Sequence, residues 1–147
     1  MLRAYLEWGN DFLSRLRGMF ALALWTESEK RLLLARDRLG IKPLYICQLG
    51  NDLYFGSELK TILAHPEVPR RINSAALEFF LSLNYVPGPR TLVEGINKLP
   101  PGHWLEWQDG RVRSQAYWQL NFDAVENWSL ADAQEQLDVL LRQSIEE

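Results

Sequence analysis

The sequence predicts an α+β chain, on three observations. Two pairs of apolar runs of strand length are joined by short polar turns. A further pair flanks Asp109-Gly110, a dipeptide suited to a two-residue hairpin turn. Around them lie stretches whose apolar residues recur at the three- and four-residue spacing of amphipathic helices.

Each element can be justified in order. Leu2, Tyr5 and Leu6 share a helical face that stops at Gly9-Asn10, and Phe12, Leu13 and Leu16 continue as a second short turn or helix. Met19 to Trp25 is apolar on both alternations, as is Leu32 to Ala35 across a polar turn, which predicts a hairpin buried on both faces. Ala and Leu favour helix in the first run, but the short turn and the second run decide for strand. Pro43 to Leu49 and Asp52 to Gly56, joined by Gly50-Asn51, read as a second hairpin. A short helix from Glu58 to Ala64 is closed by His65-Pro66, because the residue before a proline avoids helical conformation. The stretch from Pro66 to Arg71 changes composition and reads as a boundary between residues 1–70 and 71–147. Asn73 then caps a helix carrying Ala76, Leu77, Phe80 and Leu81. Pro87 to Pro89 and Leu99 to Gly102 bracket a loop-rich stretch before the Asp109-Gly110 hairpin. Ser129 with Asp132 makes a cap for a last helix whose face is Leu130, Ala133, Leu137, Leu140, Leu141 and Ile145. Nothing caps the first helix and no cationic turn closes the last, so both ends read as cuts in a longer chain.

The 147 residues are 47% hydrophobic and 24% charged, which suits one domain or parts of two and excludes a disordered chain. Sixteen Lys and Arg face nineteen Asp and Glu, a net charge of −3. Without a basic stripe, neither nucleic acid nor an anionic membrane has an electrostatic footprint. The apolar runs are too short to span a bilayer and the N-terminus carries no signal pattern, so a cytoplasmic, soluble chain is expected.

Little in the residues themselves carries chemistry. Cys47 is the one thiol, set mid-strand in an apolar run without a cationic neighbour, where a thiol is an inert packing residue. His65 sits at a helix end, where its ring can satisfy the last carbonyls, and His103 at a strand start; neither has a metal-ligand spacing around it. No Gly-rich phosphate loop is present. The densest polar clusters are Arg36-Asp37-Arg38, running into Leu39-Gly40-Ile41-Lys42-Pro43, and Gly56-Ser57-Glu58-Leu59-Lys60. Taken alone they read as a charged turn and a helix start, with Ser57 as N-cap and Glu58 in the first turn. The six tryptophans read as packing residues.

Several segments in fixed order resemble one family. Leu16-Arg17-Gly18-Met19-Phe20-Ala21 leads into Ala35-Arg36-Asp37-Arg38-Leu39-Gly40-Ile41-Lys42-Pro43-Leu44-Tyr45, then Phe55-Gly56-Ser57-Glu58-Leu59-Lys60. Tyr85-Val86-Pro87-Gly88-Pro89-Arg90-Thr91, Lys98-Leu99-Pro100-Pro101-Gly102-His103 and Tyr117-Trp118 follow. The series is similar to the glutamine-hydrolysing asparagine synthetases. That resemblance implies the second part of an N-terminal-nucleophile αββα sandwich over residues 1–70. Over residues 71–147 it implies a helix, hairpin and helix connector into an α/β synthetase domain.

The resemblance also implies what the chain does not hold. The family's nucleophilic cysteine, its glutamine-binding groups and its pyrophosphate loop have no counterpart here, so no catalytic or metal residue is expected and the isolated chain should be inactive. Glutamine, aspartate and ATP with Mg²⁺ are expected as substrates and cofactors of the parent enzyme, none bound by this chain alone. A homodimer stays open. Met19, Ile41 and Lys42 fall at positions resembling the lining of the family's ammonia passage, with plain core packing as the alternative for the first two and an apolar residue in some relatives at the third. Arg36, Asp37 and Glu58 are expected to form a buried ionic network supporting the glutamine site. Two other readings stay open: a related amidotransferase-ligase acting on a β-lactam, peptide or sugar acceptor, and a non-catalytic remnant that binds a partner.

Overall fold

The computed structural model describes residues 1–122 and 127–146. Strand alternation sorts the apolar side chains onto opposite faces of two antiparallel sheets. Strands β1 (Ala21–Thr26), β2 (Arg31–Arg36), β6 (His103–Gln108) and β7 (Arg111–Ala116) form the larger sheet, in the order β1-β2-β6-β7. Strands β3 (Tyr45–Leu49), β4 (Asp52–Gly56) and β5 (Ile96–Lys98) form the smaller, in the order β4-β3-β5. The helices are α1 (Leu2–Trp8), α2 (Phe12–Arg15), α3 (Leu59–Leu63), α4 (Ser74–Leu83) and α5 (Leu130–Glu146). A single 3₁₀ turn, Gly9–Asp11, joins α1 to α2.

The register makes the layering explicit. Leu22 faces Ala35 and Ala35 faces Trp104, so these three share one side of the larger sheet, where they pack with Phe12 and Leu13 of α2. Leu34 and Leu105, one residue on, point to the other side and meet Leu44, Ile46, Leu53 and Leu99 between the sheets. Cys47 and Ile96 lie on the far side of the smaller sheet, against Ile62 of α3 and Val68. The order is therefore helix, sheet, sheet, helix, each layer burying one face of the next.

All three predicted hairpins form, and the last closes with Asp109 and Gly110 both at positive φ, 49° and 79°. Asn73 caps α4, its Oδ1 accepting from the Ala76 amide at 3.1 Å. Ser129 caps α5, its Oγ accepting from the Asp132 amide at 3.2 Å.

Three expectations change. The first hairpin is not buried on both faces throughout: β2 is, but β1 is an edge strand, and Trp25 stays 48% exposed. The helix after β4 is capped by Glu58 rather than Ser57, and without a side-chain hydrogen bond, because Glu58 itself keeps extended backbone. The His65 ring does not satisfy carbonyls of α3; it lies 4.5 Å from the Tyr54 ring, with Nε2 3.4 Å from the Tyr54 hydroxyl. The stretch from Pro66 to Arg71 separates elements that share both sheets, since β6 bonds to β2 and β5 to β3.

Candidate functional site

The connection from β2 to β3 carries the densest polar cluster, and burial dictates its shape. Asp37 leaves the end of β2 only 1% exposed. A carboxylate taken from water must be compensated by donors. Here the donors are consecutive amides: Ile41 N–H donates to Oδ1 and Lys42 N–H to Oδ2, each at 2.9 Å. The main chain of Asp37 is tied as well, its amide donating to Phe20 O at 2.9 Å and its carbonyl accepting from Gly40 N and Gly102 N. Burial pushes the Asp37 carboxyl up, but the backbone hydrogen bonds around it, those of Lys42 and Ile41 foremost, together outweigh burial and hold the group below its ordinary value.

Arg36 braces the same turn from outside. Its guanidinium donates to three carbonyls, those of Lys42 and Leu99 at 2.8 Å and that of Gly40. Burial lowers its pKa, yet an arginine stays charged. Tyr117 closes the knot by donating its hydroxyl to Arg36 O at 2.8 Å, and burial pushes that phenol up to about 12. Gly40 turns at φ 66°, where a Cβ would stand 2.8 Å from Pro101 Cγ.

The expected ionic network of Arg36, Asp37 and Glu58 does not assemble. Arg36 and Asp37 share one backbone knot but bond to main-chain groups. Glu58 is exposed at the start of α3, paired with Lys60 at 2.6 Å. The physical reason is supply: a turn with many unpaired carbonyls and amides offers each charged group its partners locally.

The knot brings Met19 and Ile41 onto one cleft of about 300 Å³, lined also by Gly18, Leu39, Arg38 and Trp118 besides Asp37. Met19 is 61% and Ile41 55% exposed, so neither is a core residue in this chain. Lys42 is exposed and does not line the cleft; its backbone serves the knot. Three residues that sequence reasoning gave no role hold this site together: Gly102, Tyr117 and Trp118. Gly102 accepts from both following amides, Tyr117 N at 2.8 Å and Trp118 N at 3.2 Å. Their only signal was membership of the Pro-Pro-Gly-His and Tyr-Trp segments. Cys47 is 1% exposed and burial pushes its thiol up, which leaves it unsuited as a nucleophile.

A family model described as a glutamine amidotransferase domain matches residues 1–118. Asparagine synthetase [glutamine-hydrolyzing] 3 of Bacillus subtilis is 36% identical over 121 residues, 82% of this chain and 20% of that protein. Asparagine synthetase [glutamine-hydrolyzing] 1 of the same organism is 34% identical over 128 residues, 86% of this chain and 20% of that protein. Amidase chry2 of Gibberella zeae is 33% identical over 123 residues, 83% of this chain and 18% of that protein. The chain thus spans about a fifth of the length of the curated relatives it matches.

Proposed function

The chain belongs to the glutamine amidotransferase domain family, and we propose that it forms part of a glutamine-dependent asparagine synthetase. In that reaction glutamine and water give glutamate and ammonia. Aspartate is adenylated by Mg-ATP with loss of pyrophosphate, and ammonia displaces AMP to give asparagine. Glutamine, aspartate and ATP are then substrates of the whole enzyme. Among the described residues, no three His, Cys, Asp or Glu side chains are grouped to hold a metal, and the sequence has no Gly-rich phosphate loop. We assign ATP and Mg²⁺ to the rest of the enzyme, as the resemblance implies.

Its part is structural and conductive: a sheet sandwich that presents one wall of the route by which ammonia leaves the glutamine site. An apolar wall suits this, because water would protonate ammonia and remove the nucleophile. The observation that carries the reading is the meeting of Met19, Ile41 and Trp118 in one cleft, from three separate segments of the matched stretch. We place the end of the amidotransferase unit near residue 118, beyond the stretch from Pro66 to Arg71, because both sheets draw strands from either side of it. Helix α5 then begins the connector. By itself the chain should release no ammonia from glutamine, since its one thiol is buried.

The test is a chimaera of the first Bacillus subtilis relative in which residues 1–118 of this chain replace the matching stretch. Asparagine formation from glutamine is expected to persist. A folded chimaera that makes asparagine from ammonium but not from glutamine would sink the reading. A second reading keeps the same unit but has it feed ammonia to another acceptor, a β-lactam, peptide or sugar. The relative named an amidase shows that the matched stretch also occurs in a protein with another name. Acceptor choice would lie outside this chain, so product analysis of the whole enzyme separates the two.

A further inference from the structure

We propose that Asp37 is a positioning residue for this passage: its carboxylate sets the turn after β2 so that Ile41 stands in the cleft wall beside Met19. The proposal rests on the reading of the cleft as an ammonia route. Asp37 is tied to all three segments that bring apolar residues to the cleft. Its amide bonds to Phe20 O, next to Met19 in the chain. Its two carboxylate oxygens bind the amides of Ile41 and Lys42. Its carbonyl binds Gly102 N, and Gly102 O in turn holds the amides of Tyr117 and Trp118.

The chemistry of these contacts argues for placement rather than charge storage. The charge of Asp37 is felt by the neighbouring Arg36 guanidinium, yet its oxygens bond amides, and no direct ion pair to Asp37 occurs among the described residues. Two parallel oxygens meeting two consecutive amides fix the backbone direction at residues 41 and 42, and hence where the Ile41 side chain emerges. A neutral amide side chain cannot reproduce this, since its NH₂ would face one of the two N–H groups.

The experiment uses the chimaera described above, reading asparagine formed per glutamate released, with ammonium-driven asparagine formation as the control for the other site. Asp37→Asn is expected to lower that ratio by about twofold or more while the control holds. Ile41→Ala, which leaves every hydrogen bond of the turn in place, is expected to lower it too. A wild-type ratio in either variant overturns the proposal, as does an Asp37→Asn effect confined to the KM for glutamine, which would assign the carboxylate to the glutamine pocket. Should Asp37→Asn fail to fold, Ile41→Ala decides alone: a lowered ratio supports the proposal and an unchanged one ends it. An unsubstituted chimaera inactive with glutamine would remove the functional reading itself, and the proposal with it.

Discussion

Asp37 sets burial against charge, and the balance has a measurable sign. Its folded carboxyl lies below its ordinary value because burial, which pushes it up, is outweighed by the backbone hydrogen bonds around it taken together, those of Lys42 and Ile41 foremost. The folded chain therefore binds fewer protons at this site than the unfolded chain does. The stabilisation is complete above about pH 4, the unfolded value, and is lost as pH falls through the lower folded value. Chemical denaturation from about pH 7 down to pH 3 should show that loss, and Asp37→Asn should flatten it. The same substitution leaves one buried amide without its acceptor, at a cost of about 2 kcal/mol near neutrality. An acid limb unchanged by Asp37→Asn would assign it to other carboxylates. Tyr117 meets the opposite pressure: its buried hydroxyl is needed as a donor, and its pKa of about 12 keeps the proton on it.

At the scale of elements, the turns and caps divide by whether a side chain or the backbone has to give way. Asn73 is an ordinary cap, so Asn73→Ala should cost about 1 kcal/mol through the freed Ala76 amide. Gly102 is different. It sits at φ 64°, and a Cβ there would stand 2.4 Å from the carbonyl oxygen of Trp118, a backbone atom of the residue whose amide donates to Gly102 O. Gly102→Ala should therefore cost more than the roughly 1 kcal/mol of a left-handed conformation alone. Thermal denaturation of the two variants ranks them, and a smaller shift for Gly102→Ala would refute the steric account. Among the helices, α1 and α2 cover the larger sheet and α3 the smaller, whereas α4 buries only Ala76 and α5 buries none of its residues.

For the molecule as a whole, the outcome is a sandwich with unsatisfied borders. Among the described residues, strand β1 has a neighbour on one side only. Leu77, Phe80 and Leu81 of α4 and Leu137, Leu140 and Leu141 of α5 are all exposed. Open strand edges and apolar helix faces both favour association. The 147-residue chain should therefore sediment with a concentration-dependent mass, and Ala23→Lys, which places a charge on the exposed edge strand, should reduce it. A monomer at every concentration would contradict this. Among the described residues, no helix is long and apolar enough to cross a membrane.

What the sequence determined by itself was local. The three hairpins, the Asn73 and Ser129 caps and the burial of Cys47 follow from side-chain alternation and turn chemistry among near neighbours. The αββα layering came from resemblance, and strand pairing within this chain builds it. Apolar residues on both alternations predict a first hairpin buried on both faces, yet β1 lies at a sheet edge, because the pattern reports which residues are apolar and not where a strand sits in its sheet. Only the tertiary structure decided the site. Arg36 reaches Leu99 across 63 positions and Tyr117 reaches Arg36 across 81, distances over which no local pattern carries information. The expected ionic network became a knot of main-chain hydrogen bonds for the same reason. Each buried polar group needs a partner, and which partner is nearest is settled only once the sheets have brought distant loops together.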